Sequence, residues 1–207
     1  MLFNLYELLK KYKIEPKGVI QIGAHYGQEN QVYERLKIKN RAFFEPIKSN
    51  FEILKKMVGS EHQLFNFALG NIETEMEMYV ETVNQGQSCS LLKPSIHVIQ
   101  HPDIVFNSKE IVQVKRLDDV GLNMENFNMI LIDVQGYELE VFKGCEKTLE
   151  KIDIIISEIN RDEVYENCTK IDELINFLSN FGFELKEHHW LGKTYGDGLF
   201  IKNKKQL

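Results

Sequence analysis

The sequence is poor in cysteine and proline. Its three cysteines, Cys89, Cys145 and Cys168, lie far apart, and none belongs to a CxxC pair. This spacing argues against a disulfide framework and against structural zinc, and it favours a reduced, cytoplasmic compartment. The four prolines are scattered, and no repeat or low-complexity stretch marks a linker. We therefore expect a single domain over residues 1–207, a length that supports one substantial core.

Long apolar runs and an excess of positive charge are also missing. No apolar run approaches the length of about 18 residues that a membrane span needs. The formal net charge of -6 provides no basic surface of the kind that binds nucleic acid. Neither a membrane span nor a nucleic-acid partner is therefore expected. Residues 1–17 have leucines at helical spacing followed by lysines, which predicts a short helical cap rather than a signal peptide.

Short apolar runs alternate with segments of helical spacing. Runs with the length and composition of buried strands occur at residues 19–22, 41–44, 63–67, 129–134 and 152–157. Helical spacing occurs at about residues 28–37, 49–58, 137–150 and 171–181. This alternation predicts an α/β fold in which helices cover both faces of a mostly parallel sheet.

Two regions interrupt this alternation. Residues 73–116 carry two extended pieces around a long polar loop with no clear helix, which indicates an insertion at one edge of the sheet. Long irregular segments of this kind are often functional, so we expect this insertion to shape a binding site. Near the C-terminus, residues 183–190 and 194–202 are strand-like and flank a glycine-containing turn. They predict an antiparallel pair that closes the sheet.

The first predicted strand runs into a glycine loop, VIQIGAHYGQE, over residues 19–29. Gly23 and Gly27 allow close approach of a ligand to backbone amides at a helix N-terminus, because glycine has no side chain. The dinucleotide fingerprint GxGxxG needs a middle glycine beside the pyrophosphate, and His25 stands there. The loop therefore favours an adenosyl group without phosphates, S-adenosylmethionine, over NAD.

The second predicted strand ends in AFFEP, which places Glu45 22 positions after Gly23. Adenosine-binding folds carry an acidic residue about 20 residues after the glycine loop. A carboxylate at this strand end can accept hydrogen bonds from both ribose hydroxyls. We therefore expect Glu45 to hold the ribose, although a surface glutamate is the alternative.

An ordered series of segments resembles the FkbM-type methyltransferases. It extends from about Val19 to Lys202 and consists of VIQIGAHYGQE, AFFEP, FNFALG, GQSCSLLKP, RLDD, MILIDVQGYELEVFKG, SEIN and GDGLFIK. The resemblance implies a Rossmann-like methyltransferase fold with a seven-stranded sheet of order 3-2-1-4-5-7-6. It also implies S-adenosylmethionine-dependent O-methylation of a hydroxyl on a sugar, glycan or natural product. Gln21 departs from the family, since many members have an acid there, and we expect altered contacts near the methionine moiety.

The resemblance further implies a set of cofactor-binding residues at successive strand ends, namely Gly23, Ala24, His25, Gly27, Glu45, Asn66, Ala68, Asp133 and Gln135. The glycine-loop members would line the methionine and ribose, and Asn66 and Ala68 would border the adenine. The DVQG segment, residues 133–136, matches a DxEG-like family segment where cofactor and acceptor meet. Glu158, in SEIN, would occupy the corresponding place after the fifth strand.

Asp133 and Glu158 are the candidate catalytic residues. Methyl transfer from a sulfonium depends mostly on alignment and exclusion of water. A neutral hydroxyl must still lose its proton, which requires a nearby base. Both carboxylates would lie at adjacent strand ends, where open α/β sheets bind ligands. Either could be the base or could only anchor the cofactor's ammonium or a sugar hydroxyl, and Asp133 could instead cap the following helix.

His97 and His101 are spaced as a metal-binding pair on a helix would be, but two histidines supply only half of a tetrahedral site. Pro94 and Pro102 bracket them, and no HExxH motif is present. We therefore expect no metal and favour a role in acceptor recognition or in a lid.

The sequence leaves several alternatives open. N- or carboxyl-methylation on the same fold remains possible, as does a binding module without catalysis. A nucleotide-binding oxidoreductase is disfavoured by the absent GxGxxG. We expect a small-molecule or glycan acceptor, but fold does not specify substrate, and neither the acceptor nor the oligomeric state follows from the sequence.

Overall fold

The computed structural model describes residues 2–203, so Met1 and residues 204–207 of the predicted domain lie outside the described part. Within it, the strands are β1 Gly18–Ile22, β2 Asn40–Phe44, β3 Gln63–Phe65, β4 Ala68–Leu69, β5 Thr74–Glu81, β6 Phe106–Lys115, β7 Met129–Ile132, β8 Ile154–Asn160, β9 Phe183–Leu191 and β10 Tyr195–Lys202. The α-helices are α1 Leu5–Tyr12, α2 Asn30–Arg35, α3 Lys48–Val58, α4 Ile96–Gln100, α5 Glu138–Lys143, α6 Glu146–Leu149 and α7 Ile171–Ser179. Short 3-10 turns occur at Leu117–Asp119 and Met124–Asn126.

Seven strands form the main sheet in the order β3-β2-β1-β7-β8-β10-β9. Counted along the chain within this sheet, the order is 3-2-1-4-5-7-6, as predicted. The pairs from β3 to β8 are parallel, and β10 runs antiparallel to both β8 and β9. The prediction of a mostly parallel sheet closed by an antiparallel pair is therefore confirmed.

The register brings the carboxyl ends of the central strands to one level. Ile22, at the end of β1, pairs with Phe44 of β2 on one side and with Ile132 of β7 on the other. On β8, Ser157 pairs with Ile132. The residues that follow these positions therefore meet at one edge of the sheet, which is where open α/β sheets bind ligands.

Helices cover both faces of the sheet, because alternate residues of its buried strands point to opposite sides. On one face, α1, α2 and α3 bury Leu8, Tyr33 and Leu54 against strand residues that include Met129 and Ile156. On the other face, α5, α6 and α7 pack against the alternate residues of the same strands in a second cluster that includes Ile20, Ile130, Phe142, Leu149 and Leu174. None of the described helices is long and apolar enough to cross a membrane.

The insertion, residues 73–116, is more ordered than the sequence predicts. Its long strands β5 and β6 form a second sheet with β4, in the order β4-β6-β5. The expectation of no helix here is wrong, because α4 lies between them. This short helix lacks an apolar period that would reveal it, and its first turn is held by tertiary contacts: the His97 N–H donates to the Val164 carbonyl (3.1 Å).

Two predicted boundaries also shift. The third strand ends at Phe65 rather than at residue 67. The helix predicted over residues 137–150 is divided into α5 and α6 at Gly144 and Cys145. A Cβ on Gly144 would lie 1.9 Å from the Gly70 carbonyl oxygen, so the break occurs where two backbone segments touch.

Candidate active site

The glycine loop lies directly against the end of β7. Gly23 has a φ of 75°, and a Cβ there would lie 1.9 Å from the carbonyl oxygen of Asp133. Only glycine fits this position, since any side chain would both clash and strain the backbone. His25 also adopts a left-handed conformation, with a φ of 49°. The loop therefore bends tightly, although histidine replaces the fingerprint's middle glycine.

Glu45 ties this loop to the end of β2. Its Oε2 accepts a hydrogen bond from the His25 N–H (2.9 Å), and its Oε1 accepts one from the Ile47 N–H (2.9 Å). Burial raises the pKa of Glu45 to about 7, although these bonds and one from Asn50 favour the charged form. An ionised carboxylate offers about four acceptor positions. The three hydrogen bonds from His25, Ile47 and Asn50 use three of these positions. About one acceptor position of Glu45 is therefore left for a ribose hydroxyl.

A small cavity of about 60 Å³ opens beside Glu45. Its walls are mostly apolar and include Phe44, Phe67, Ala68 and Val134. The volume is equivalent to roughly four to six water molecules. Its size and lining suit a flat heterocyclic base with few polar contacts.

A wide cleft of about 610 Å³ lies on the other side of Gly23 and Asp133, which line both spaces. The ends of β7, β8 and β10 form its floor, with Glu158 and Asp197 among the lining residues. The volume falls within the range of about 300–1,000 Å³ that is typical of small-molecule sites. The small cavity and the wide cleft thus meet at the end of β7.

One amide bridges the two predicted catalytic carboxylates. The Nε2 of Gln135 donates to Asp133 Oδ1 (2.6 Å) and to Glu158 Oε1 (3.2 Å). Its Oε1 accepts from the hydroxyl of Tyr165 (2.7 Å), and its backbone carbonyl accepts from the hydroxyl of Ser90 (2.8 Å). Because ionised carboxylates only accept, they hold the amide nitrogen of Gln135 on their side. The amide oxygen therefore faces the hydroxyl of Tyr165, which also lies 3.0 Å from the Ser88 carbonyl.

Both carboxyl groups titrate above their ordinary range. Asp133 is accessible within the cleft but is surrounded by protein, and this desolvation raises its pKa to about 6 despite the hydrogen bond from Gln135. Burial, followed by the charges of Asp133 and Glu138, raises the pKa of Glu158 well above its usual value. The Oε2 of Glu158 has no hydrogen-bond partner among the described residues. The pKa of about 6 suits Asp133 to exchange a proton near neutral pH, whereas the raised pKa of Glu158 favours its protonated form.

The predicted site residues divide into four groups according to the space that they line. Those that line both spaces are Gly23, His25, Asp133 and Gln135. Ala24 and Glu158 line only the wide cleft, whereas Glu45 and Ala68 line only the small cavity.

Gly27 and Asn66 are in neither lining, so their predicted cofactor contacts stay predictions. A Cβ on Gly27 would lie 2.6 Å from the side chain of Val58 on α3, so this glycine allows close helix packing. The amide of Asn66 donates to the carbonyls of Glu45 and Pro46, both at 2.9 Å. Gly27 and Asn66 therefore support the structure around the site without lining either space.

The insertion contacts the glycine loop through the backbone carbonyl of Gln85. Gln85 O lies 2.7 Å from His25 Nε2, while Gln28 Nε2 lies 2.7 Å from His25 Nδ1. A carbonyl only accepts, so the proton of this imidazole is on Nε2. The Tyr26 hydroxyl donates to the same Gln85 carbonyl (3.1 Å). Sequence reasoning expected the insertion near the site but missed this contact, because no local pattern indicates it.

The histidine pair of α4 lies in the wall of the wide cleft. Burial, and then the neighbouring His101, lower the pKa of His97 to about 4. His101 Nε2 lies 3.4 Å from the hydroxyl of Tyr195, a residue of β10. Within residues 2–203, no group of three His, Cys, Asp or Glu side chains is placed to hold a metal ion. Both histidines line the wide cleft, and their role in acceptor recognition or in a lid stays a prediction.

Among the lining or supporting residues that sequence reasoning missed are Phe67, Tyr165, Tyr195 and Asp197. The series GDGLFIK contains Asp197 but no feature that assigns it to a site. Tyr165 lies between β8 and α7, where no periodicity guides interpretation.

The sequence profile of the methyltransferase FkbM domain matches residues 21–185, most of the chain. The chain belongs to the FkbM methyltransferase family. The predicted S-adenosylmethionine-dependent methyltransferase is thus confirmed at the level of the family. The 2-O-methyltransferase NoeI of Sinorhizobium fredii (strain NBRC 101917 / NGR234) is 24% identical to this FkbM protein over 173 residues, which cover 79% of this chain and 71% of NoeI.

Solved structures similar to this FkbM protein confirm the fold. The methyltransferase domain of bacterial CtHen1-C has a TM-score of 0.52 and 10% identity, over 96% of this chain and 94% of that one. TrmK of M. capricolum, solved with S-adenosylhomocysteine, has a TM-score of 0.50 and 14% identity, over 100% and 73%. The magnesium protoporphyrin IX methyltransferase ChlM of Synechocystis PCC 6803, solved with S-adenosylmethionine, has a TM-score of 0.50 and 8% identity, over 96% and 76%.

Proposed function

We propose that this FkbM protein methylates a hydroxyl group of a sugar, glycan or related natural product, with S-adenosylmethionine as the donor. The observation that carries the proposal is the pair of carboxylates, Asp133 and Glu158, bridged by Gln135 in a cleft that adjoins the glycine loop. The similarity to a 2-O-methyltransferase supports oxygen as the atom that is methylated.

The residues present fit S-adenosylmethionine. The apolar small cavity suits its adenine, with Phe67 and Ala68 in the wall, and Glu45 lies where it can accept from the ribose. On the cleft side, Gln21 donates to Glu29 (2.8 Å), and the buried Gln21 Oε1 has no partner in the described part of the chain. An ammonium group would satisfy that oxygen. Glu29 would add a carboxylate near the position where Gln21 departs from the family.

Asp133 and Glu158 are assigned to the acceptor's proton. The bound cofactor supplies a methyl group that is already activated by its sulfonium, so the chain needs mainly to orient the acceptor and exclude water. The hydroxyl proton passes to one of the two carboxylates. With a pKa of about 6, Asp133 is largely ionised above neutral pH and can accept it. Glu158 lines the same cleft and is the alternative carboxylate for this role.

Calorimetric titration with S-adenosylmethionine, S-adenosylhomocysteine and NAD tests the cofactor. We expect binding of the first two and no signal with NAD, whereas binding of NAD alone would overturn the proposal. The same protein is then incubated with S-adenosylmethionine and a panel of glycosides, amines and carboxylic acids, and methylated products are identified by mass spectrometry. Methylation only on nitrogen or carboxylate would move the activity to another acceptor class. Cofactor binding with no product from any acceptor would favour a binding module.

A further inference from the structure

One polar side chain of the small cavity is left free by the chain. The polar side chains of the lining that hydrogen-bond to another described residue are His25, Glu45, Cys89, Asp133, Gln135 and Tyr137. The exception is Gln87 of the insertion, an exposed residue whose side-chain amide has no hydrogen bond within residues 2–203. Gln87 also lines the wide cleft, so it lies where the two spaces meet.

The backbone that carries this amide is held in place. Gln87 belongs to a turn at residues 84–88, and the buried Glu81 fastens both ends of this turn. Glu81 Oε2 accepts from the N–H of Asn84 (2.7 Å), and its Oε1 accepts from the N–H of Ser88 (3.2 Å). Within the turn, the Gln87 N–H donates to the Asn84 carbonyl (3.2 Å). A ligand that binds the amide therefore has to order only the side chain.

Two further contacts place this turn beside Glu45. The carbonyl of Gln85 lies 2.7 Å from His25 Nε2, and the His25 N–H donates to Glu45 Oε2 (2.9 Å). A Cβ on Gly86 would lie 2.9 Å from Nδ2 of Asn50, whose side chain also hydrogen-bonds to Glu45. The turn thus borders this carboxylate through two of the residues that hold it.

Glu45 has too little free capacity for a whole ribose. Its three hydrogen bonds leave about one acceptor position, whereas a ribose carries two hydroxyls. A hydroxyl that leaves water for a mostly apolar wall weakens binding unless it finds a partner. Asp133 also borders the cavity, but the proposed function assigns it to the acceptor. The amide of Gln87 can both donate to a hydroxyl and accept from one.

We infer that Gln87 binds one ribose hydroxyl of S-adenosylmethionine and that Glu45 binds the other. The insertion then contributes directly to the cofactor site, in addition to any contact with the acceptor. The inference rests on the proposed function, because it takes the cofactor from there.

The test removes the amide and each hydroxyl in turn. S-adenosylhomocysteine and its 2′-deoxy and 3′-deoxy analogues are titrated by calorimetry into the wild-type protein and into Gln87→Ala. We expect the variant to bind S-adenosylhomocysteine about fivefold more weakly. One deoxy analogue should bind both proteins equally, because the hydroxyl and its partner are then both absent, and the other should keep the fivefold difference.

Two results would overturn the inference. The first is unchanged affinity for S-adenosylhomocysteine in Gln87→Ala. The second is an equal loss of affinity for all three ligands, which would mean that the substitution acts through the turn and not through a hydroxyl. Alanine fits this turn, because Gln87 is not among the residues with a positive φ, and thermal unfolding checks that the variant is folded.

Two further variants locate the effect. Gln31→Ala removes the same amide from the exposed face of α2, outside both linings, and should leave all three affinities unchanged. Glu45→Ala should lose its discrimination against the other deoxy analogue. An effect of Gln31→Ala equal to that of Gln87→Ala, or coupling of Glu45 and Gln87 to the same hydroxyl, would contradict the assignment.

Failure of the inference and failure of the proposed function give different results. A wild-type protein that does not bind S-adenosylhomocysteine contradicts the proposed function, and the inference falls with it. A wild-type protein that binds S-adenosylhomocysteine, with no coupling between Gln87 and either hydroxyl, contradicts only the role of Gln87.

Discussion

The two halves of the site differ in how completely the chain satisfies its own polar groups. In the small cavity, both oxygens of Glu45 accept hydrogen bonds from backbone amides, and the remaining walls are mostly apolar. Around the wide cleft, the Oε2 of Glu158 and the Nδ1 of His97 have no partner in the described chain. The small cavity, the proposed nucleotide side, is thus organised by the backbone, whereas the wide cleft keeps buried polar atoms without partners in the described chain.

This difference has a physical basis in the ligands that the two halves would bind. An adenosyl group is the same in every turnover, so a rigid loop and a strand-end acid can be built around it. An acceptor is recognised by side chains from several segments, which can differ between proteins of one fold. The following variants test whether the halves are separable.

The largest effect is expected from Gly23→Ala. The new Cβ would meet the Asp133 carbonyl at 1.9 Å, which forces the loop away from β7 and should abolish cofactor binding in calorimetry. Gly121→Ala is the matched control, since Gly121 also has a positive φ but nothing lies within 4 Å of its Cβ position. Normal cofactor affinity in a folded Gly23→Ala protein would contradict the close contact between the loop and β7.

Replacement of the two carboxylates proposed to be catalytic should separate chemistry from cofactor binding. We expect Asp133→Asn or Glu158→Gln, whichever removes the base, to lower kcat by about 10²–10⁴. The affinity for S-adenosylhomocysteine should change much less in Glu158→Gln, because Glu158 lines only the wide cleft. Single-turnover rates at saturating cofactor measure the chemical step, and calorimetric titration measures the affinity. If neither variant loses more than a few fold in kcat, neither carboxylate is the base.

Loss of the Glu45 carboxylate should weaken cofactor binding in the small cavity and leave the wide cleft unaffected. Glu45→Ala is expected to reduce cofactor affinity by about tenfold or more, equivalent to about 1.4 kcal/mol. Glu52→Ala, an exposed glutamate of α3, serves as the control. Unchanged affinity in a folded Glu45→Ala protein would remove the ribose assignment.

Two pH-dependent quantities should report on the two halves of the site: kcat/KM through Asp133, and the stability of the fold through Glu45. Asp133 can accept a proton only when ionised, so kcat/KM should rise through a pH of about 6, and Asp133→Asn should abolish this limb. The folded pKa of Glu45 lies above the ordinary value of 4.5, so the native state binds more protons than the unfolded state. The stability contributed by this group should therefore fall as pH rises from about 4.5 to 7. Thermal unfolding of Glu45→Ala should lack that decrease.

The smallest effect is expected from Tyr165→Phe. The variant removes the hydroxyl that donates to Gln135, a contact worth about 1 kcal/mol, and should lower kcat by about fivefold. Cofactor affinity should stay unchanged. Tyr26→Phe removes a hydroxyl that contacts the insertion from the glycine loop instead, so it should alter cofactor affinity and leave the pH profile intact. Identical consequences of the two substitutions would mean that the halves are not separable.

Much of the fold was predictable because its signals are local. The apolar runs around Val19 and Met129 identify buried strands by length and composition. The position of Glu45 at a strand end beside the glycine loop was predictable from its distance to Gly23, because adenosine-binding folds have a regular spacing there, whereas its role with the ribose stays a prediction. The short helix that begins at Ile96 was not predictable, since tertiary hydrogen bonds rather than an apolar period stabilise it.

The sequence by itself determined the alternation of strands and helices, the tight turn at Gly23 and, through its ordered motifs, the family. Only the tertiary structure decided that Tyr165 orients Gln135 and that Asp197 faces Glu158. These residues are far apart along the chain and carry no periodic pattern. They meet because the parallel strands end at one edge of the sheet and the antiparallel β10 returns beside β8, which is a property of strand order rather than of any local segment.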